Sequence, residues 1–256
     1  MVLAPQRVLL EYVDPTALFV SRLNALGGGL RAFWLPKSGD TTTNTSSPDT
    51  RVWTHSASQV GRTTPQGNGI LVSLSKASSH KISTPDTDDL SFGNGTNDSA
   101  MSVIALANVT DTATYRVIFG KDANEYELYI DMFTDNLRMN CRDASAAVWV
   151  DRVIDAAAPQ GAPHLYGMSY DGGGGATAMN GVALYQDGVA QASTVTNNAN
   201  YVAMENLTTG PTIGAAGSSL YFEGSLGFFA AYAANLSAAE HLAAKNAAVA
   251  YFGLAI

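Results

Sequence analysis

Leu165-Tyr-Gly-Met-Ser-Tyr170-Asp-Gly-Gly-Gly-Gly175, followed by Gly181-Val-Ala-Leu-Tyr185-Gln-Asp-Gly188-Val, decides how the chain is read. The first stretch alternates apolar with small or polar residues, as a strand with one face on a core does. It runs into a glycine-rich reversal. The second stretch is another strand, closed by Gln186-Asp187-Gly188 as a tight hairpin turn, because Gly accepts positive φ without steric cost. Downstream, Ser219-Leu-Tyr-Phe-Glu-Gly224-Ser-Leu-Gly-Phe-Phe-Ala-Ala-Tyr232 reads as one more strand pair. Asn235-Leu-Ser237-Ala-Ala-Glu240 then opens a helix with a capping box, which predicts a helix from Ala238 to about Tyr251.

In that order these pieces resemble the concanavalin A-like or laminin-G-like jelly-roll family. The resemblance lies in the Tyr170-Asp171-Gly172 turn, the Leu184-Tyr185-Gln186-Asp187-Gly188 hairpin, the Thr212-Ile213-Gly214 strand, the Gly224-x-Leu226-x-x-Phe229 strand and the Leu236-Ser237-x-x-Glu240 helix start. It runs from about Pro163 to Phe252 and extends less closely back to about Ala32, through Leu90–Phe92, Ser102–Leu106 and Tyr115–Gly120. Each motif is common singly; their order and spacing carry the likeness. It implies an antiparallel β-sandwich that binds glycans or proteins, and it does not by itself imply an enzyme.

Upstream, short apolar segments recur at intervals of roughly ten residues between Gly, Asn, Asp or Pro, the all-β pattern. They include Ile70–Leu74, Met101–Ala107, Tyr115–Phe119, Glu125–Phe133, Leu137–Cys141 and Val148–Ile154. From Lys37 to Asn68 the chain is polar and turn-rich. Residues 1–30 stand apart as an N-terminal arm to a sandwich over 31–256. In the arm, Val8–Val13 reads as a strand, and Asp14 and Pro15 suit the N-cap and first position of a helix ending before Gly27-Gly28-Gly29. Phe19, Leu23 and Leu26 share one face of that helix. It either packs on an open end of the sandwich or docks the domain onto a larger assembly.

Composition narrows the function. A chain of 256 residues with 46% hydrophobic and 14% charged residues suits one large all-β domain. Its net charge of -8, with no cluster of Lys and Arg, argues against nucleic acid and against anionic membrane surfaces. Cys141 is the lone cysteine, so stability must come from packing rather than an intrachain disulfide. Neither a secretory signal nor a membrane span is expected, because the apolar stretches are interrupted by polar and charged residues.

Chemistry concentrates in Glu125-Tyr-Glu127-Leu-Tyr129-Ile-Asp131. On a strand, Glu125, Glu127, Tyr129 and Asp131 share one face and Tyr126, Leu128 and Ile130 the other. Carboxyls two residues apart stand about 6–7 Å from each other, between the separations of retaining and inverting glycosidases. The family's acid-bearing strands follow a Glu-x-Asp-x-x-Glu or Glu-x-Asp-x-Glu pattern, from which this strand departs at its middle and last positions. The simpler expectation is a solvated outer face; catalysis would need one of these acids in a cleft with a raised pKa.

Asp86 and Asp88, in Thr84-Pro-Asp-Thr-Asp-Asp89, are the first candidates for a calcium site, and Asp171 and Asp187 lie in turns. Trp34, Trp53 and Trp149 would stack on sugar rings if exposed and fill the core if not. The four histidines show no zinc-ligand spacing, and Gly172–Gly175 is no phosphate loop, since no Lys-Ser/Thr follows it.

The expected function is therefore a non-catalytic, surface-displayed binding or structural module. The likeness extends to laminin-G-like proteins of bacteriophage particles, which implies capsid decoration or a tail or fibre adhesion role, with Trp34, Trp53 and Asp171 as ligand contacts. Its partners would be proteins of a capsid or tail, or cell-surface glycans, and its place the virion surface or the cell exterior. The rivals are a free lectin module and a polysaccharide hydrolase or lyase using Glu125, Glu127 or Asp131.

Overall fold

A computed structural model describes residues 14–36, 43–44, 51–56, 63–110, 115–131 and 133–256. The strand expected at Val8–Val13 and most of the loop after Lys37 lie outside them. Among the described residues, seventeen strands form two antiparallel sheets. In chain order the elements begin α1 (Pro15–Asn24), β1 (Leu30–Trp34), β2 (Thr43–Asn44), β3 (Trp53–His55), β4 (Thr63–Gln66), β5 (Gly69–Leu74), β6 (Ile82–Ser83), β7 (Met101–Val109) and β8 (Arg116–Gly120). They continue α2 (Asp122–Glu125), β9 (Tyr126–Ile130), β10 (Asn136–Asp143), β11 (Val148–Ala157), β12 (Pro163–Tyr170), β13 (Val182–Gln186), β14 (Val189–Ala190) and β15 (Ser193–Thr196). The last are β16 (Thr212–Ile213), β17 (Gly224–Tyr232) and α3 (Ala238–Phe252).

The first sheet runs β14-β13-β12-β7-β17-β5-β4, with β1 sharing an edge of β17 with β5. The second runs β15-β11-β10-β9-β8-β16-β6-β3-β2. Alternation sorts the side chains between them. Met101, Val103, Ala105 and Ala107 of β7 enter the core between the sheets, as do Tyr166, Met168 and Tyr170 of β12 and Leu128, Met139, Cys141 and Val150 of the second sheet. Ile104 and Leu106 of β7 point the other way, into a second core beneath two helices. An apolar run without alternation is what a strand buried on both faces requires. The stretch 219–232 holds one strand rather than a pair: β17 spans Gly224–Tyr232, and the residues before it are irregular, with an isolated bridge between Ala216 and Ser219.

Both helices start where the sequence places them. Asp14 Oδ1 accepts the Thr16 N–H, Pro15 occupies the first turn, and Ser237 and Glu240 complete the capping box of α3. Helix α1 does not close an end of the sandwich. With α3 it covers the outer face of the first sheet, where the Phe19 ring stacks on Tyr251 at 4.6 Å and meets Phe228 edge-on at 5.2 Å. His241 of α3 lies over Gly167, where no larger residue fits: a Cβ there would stand 2.7 Å from the imidazole Nδ1.

The helices cover most of the outer face of the first sheet and leave a hollow at Ser73, Asn108 and Ser225, so the broader sheet surface open to solvent belongs to the second sheet.

Candidate functional site: the outer face of the second sheet

Strand register builds this face. The paired residues Thr54, Ser83, Thr212, Gly120, Glu127, Asn140, Asp151 and Thr196 form one row across seven neighbouring hydrogen-bonded pairings. Their sequence neighbours Ile82, Ile213, Phe119, Leu128, Met139 and Val150 are in the inter-sheet core, so the row faces outward. It is polar from end to end. A second row, Thr194, Val153, Arg138, Tyr129 and Val117, runs beside it.

Aromatic rings mark both ends of the strands. Trp149 of β11 is 40% exposed, and its register partner Arg142 places a guanidinium 4.3 Å from the ring centroid. Such a cation over an indole fixes the ring's orientation. Arg142 is itself held by a hydrogen bond from Nη1 to Asn124 Oδ1. At the other end, Tyr129 meets Tyr115 edge-on at 5.5 Å, Tyr115 meets Phe133 at 6.4 Å, and Phe133 is 78% exposed. Arg138 closes this end by reaching Asp131 at 3.5 Å and Asp151 at 3.9 Å.

The middle is partly roofed. Ala216, from the loop after β16, packs on Val117 and Tyr129. Beyond that roof, a polar cavity of about 440 Å³ opens among residues 81–86, 209–212 and 217–218, with Ser83, Thr84 and Asp86 in its wall.

The acids of the β9 segment do three different jobs. Glu125 ends α2 rather than extending β9, and it is fully buried. Its Oε1 accepts the Leu207 N–H at 2.7 Å and pairs with Lys121 Nζ at 3.2 Å, which in turn pairs with Asp86 at 2.9 Å. Burial pushes the Glu125 carboxyl up to about 7, against the pull of Lys121. Asp131 Oδ1 accepts the N–H groups of Phe133 and Thr134, so it shapes the turn after β9. Glu127 and Tyr129 do share the outward face, but each is only 5% exposed. A freely solvated acidic face is thus not what forms, and neither is a pair of carboxyls facing each other across a cleft.

Trp34 and Trp53 are fully buried in the core, with their indole N–H groups donating to His55 Nε2 and the Phe33 carbonyl, so neither has a face for a ligand. Trp149 is the tryptophan that stays exposed. Asp171 lies at the surface, accepts the Gly173 N–H and borders a hollow of about 220 Å³ with Thr177 and Asn180. Asp86 is paired with Lys121, and Asp88 accepts a hydrogen bond from Asn206 Nδ2 at 3.2 Å. Among the described residues no group of three or more His, Cys, Asp or Glu side chains is placed to hold a metal ion. Cys141 is buried as a free thiol.

Two buried networks could be mistaken for sites. Ser169 Oγ lies 2.8 Å from His241 Nε2, a nucleophile-to-base distance, yet both residues are about 1% exposed and sealed beneath α3. Asp98 accepts from Tyr170 Oη at 2.6 Å, Tyr201 Oη at 2.9 Å and Met204 N–H at 2.7 Å. That network pins residues 201–204 across one end of the sandwich.

What sequence reasoning missed was the cross-strand pairing of Arg142 with Trp149 and the cavity at Asp86. The first depends on the register of the β10–β11 hairpin, and the second on β6 and β16, which are far apart in the chain.

No family profile matches the sequence, and no curated protein matches it. Solved structures share the fold. Domain 4 of AbnA, an extracellular GH43 arabinanase from Geobacillus stearothermophilus, seen with arabinotriose, superposes with a TM-score of 0.57 at 15% identity, over 85% of this chain and 98% of that one. The ligand-binding domain of botulinum neurotoxin serotype D, seen with N-acetylneuraminic acid, gives 0.61 at 10% identity over 91% of this chain and 55% of that one. The binding domain of Paraclostridial Mosquitocidal Protein 1 gives 0.60 at 11% identity over 85% of this chain and 52% of that one. This chain thus spans about half the length of the two toxin domains. The shared feature is the β-sandwich. Among the described residues, no helix is long and apolar enough to cross a membrane.

Proposed function

We propose that the protein is a non-catalytic glycan-binding module that meets saccharides with the outer face of its second sheet. The observation that carries this reading is Trp149, an exposed indole held in place by Arg142 beside the polar row of Asn140, Asp151 and Thr196. A flat apolar ring next to amide, carboxylate and hydroxyl groups matches the two surfaces of a sugar, its C–H face and its hydroxyl edge. Two of the structural neighbours named above were solved with a saccharide, which supports the class of ligand.

Hydrolase or lyase chemistry is disfavoured by the separate engagements of Glu125 and Asp131, which leave no acid pair around a common reaction space. Screening the protein against a glycan array tests the reading. Binding that is lost in Trp149→Ala supports it, and cleavage of any bound glycan contradicts it.

Display on a bacteriophage particle, as capsid decoration or a tail or fibre adhesin, is the setting that the laminin-G-like resemblance adds. In that setting residues 1–30 carry the attachment element, outside the face by which α1 packs on the first sheet, and residues 31–256 form the displayed sandwich. Detection of the chain in purified particles of its source tests this setting.

A further inference from the structure

The cavity beside Asp86 lies on the same outer face as Trp149 but at the opposite side of the sheet. Four strand-to-strand steps separate β11 from β16, or about 19 Å at the usual spacing. The two are further divided by the roof at Ala216. At about 440 Å³ the cavity is large enough to take a small ligand.

Among the described residues its wall contains no aromatic ring and no surplus cation. Lys81, the ammonium in the wall, already donates from Nζ to the Gly217 carbonyl at 2.6 Å. The hydroxyls of Ser83 and Ser218 make no hydrogen bond to any described residue, and Ser218 is exposed at the mouth. Asp86 turns one oxygen to Lys121, whose side chain is fully buried, and leaves the other without a partner among the described residues. The buried ammonium holds that carboxylate in place and offsets its charge. One wall, Thr209-Gly210, follows Leu207, which is tied down by Glu125 Oε1. The opposite wall touches it directly: a Cβ on Gly210 would collide with the Thr84 carbonyl.

Neutral hydroxyl groups, each both donor and acceptor, are what such a mixed and nearly charge-balanced wall satisfies. An anionic ligand would find the free Asp86 oxygen repulsive and Lys81 engaged. We propose that this cavity is a second saccharide subsite for neutral sugars, in which Asp86 accepts hydroxyl hydrogens and Ser83 and Ser218 complete the contacts. The inference rests on the reading of the outer face as a glycan-binding surface.

The test is titration calorimetry with arabinotriose, xylotriose, cellotriose and galactotriose, with sialyllactose as the acidic comparison. The full chain is compared with Ser218→Trp, which fills the mouth from an exposed position, with Asp86→Asn, and with Trp149→Ala. The expected result is that a neutral oligosaccharide binds and that Ser218→Trp and Asp86→Asn each weaken it tenfold or more. Ser218→Trp keeps the test valid should loss of Asp86 unsettle Lys121. Binding that is lost in Trp149→Ala but unchanged in Ser218→Trp would overturn the second subsite and leave the glycan-binding reading standing. Tighter binding of sialyllactose than of every neutral sugar would overturn the assigned ligand class. Silence from all five sugars would overturn both readings.

Discussion

Arg142 and Trp149 face each other across the β10–β11 ladder, with the guanidinium carbon 4.3 Å from the indole centroid. Cross-strand partners on one face of a sheet are close enough for this contact to be set by register alone. The arginine is in turn anchored to Asn124 by a hydrogen bond. An exposed tryptophan on an irregular loop would sample many orientations; here the sheet, the cation and the α2 turn hold one. Preorganisation of this kind is what a weak-affinity sugar site needs, because little ordering is left to be done on binding.

Trp149→Ala should reduce glycan affinity by tenfold or more, which corresponds to about 1.4 kcal/mol of binding energy. Because the ring is largely outside the core, thermal unfolding should shift only slightly. Calorimetry and a thermal melt on the same variant separate the two effects.

His241 makes the fold sensitive to acid. Burial under α3 lowers its pKa from 6.5 to about 4, with Glu240 opposing that shift. In the unfolded chain it takes up a proton near pH 6.5, whereas in the folded chain it resists until about pH 4. Its contribution is therefore fully present above pH 6.5 and is lost as pH falls from there to 4, amounting to roughly 3 kcal/mol. Denaturant unfolding between pH 7 and 4 should reveal a loss that His241→Gln diminishes, even though the variant begins less stable.

Glu125 works in the opposite direction. Its carboxyl is raised from 4.5 to about 7, so the folded chain holds a proton that the unfolded chain releases. Its contribution is present below pH 4.5 and is lost as pH rises from there through 7. Glu125→Gln should flatten the stability profile over that window. The unchanged acceptor oxygen should still hold the Leu207 N–H, which hydrogen exchange at that amide would report.

Asp98→Ala should be among the costliest single changes. It would leave the hydroxyls of Tyr170 and Tyr201 and the Met204 N–H without their acceptor at a closed end of the sandwich. A loss of about 3 kcal/mol or more is expected in equilibrium unfolding.

Gly167→Ala tests how α3 is seated. The added methyl would meet the His241 ring at 2.7 Å, so the helix must lift or the imidazole must leave its stack on Tyr185. A destabilisation of about 1–3 kcal/mol is expected.

Elements marked by local chemistry were readable in the sequence. Gly188 in the β13–β14 turn, Asp14 and Pro15 at α1, and Ser237 with Glu240 at α3 each act within a few residues, and all stand where the pattern puts them. Quantities set by tertiary packing were not readable. Period-two alternation assigned Glu127 and Tyr129 to the outward face correctly, but it had no means of knowing that Ala216 folds over Tyr129. It also continued the strand back through Glu125, where four residues instead coil into α2 and turn that carboxyl inward. The sequence leaves Trp34 and Trp53 open between ligand contact and core; the strands carrying them point both rings into the core. Which sheet face stays open depended on two helices far apart in the chain converging on the other one.

The measurement that bears most directly on the central claim is a map of amide chemical shifts during titration with the tightest-binding neutral oligosaccharide. The account predicts changes concentrated on Asn140, Arg142, Trp149, Asp151 and Thr196, with a second group at Ser83, Asp86 and Ser218. Changes confined to α1, α3 and the turn at Asp171 would contradict it and move the binding surface to another part of the molecule.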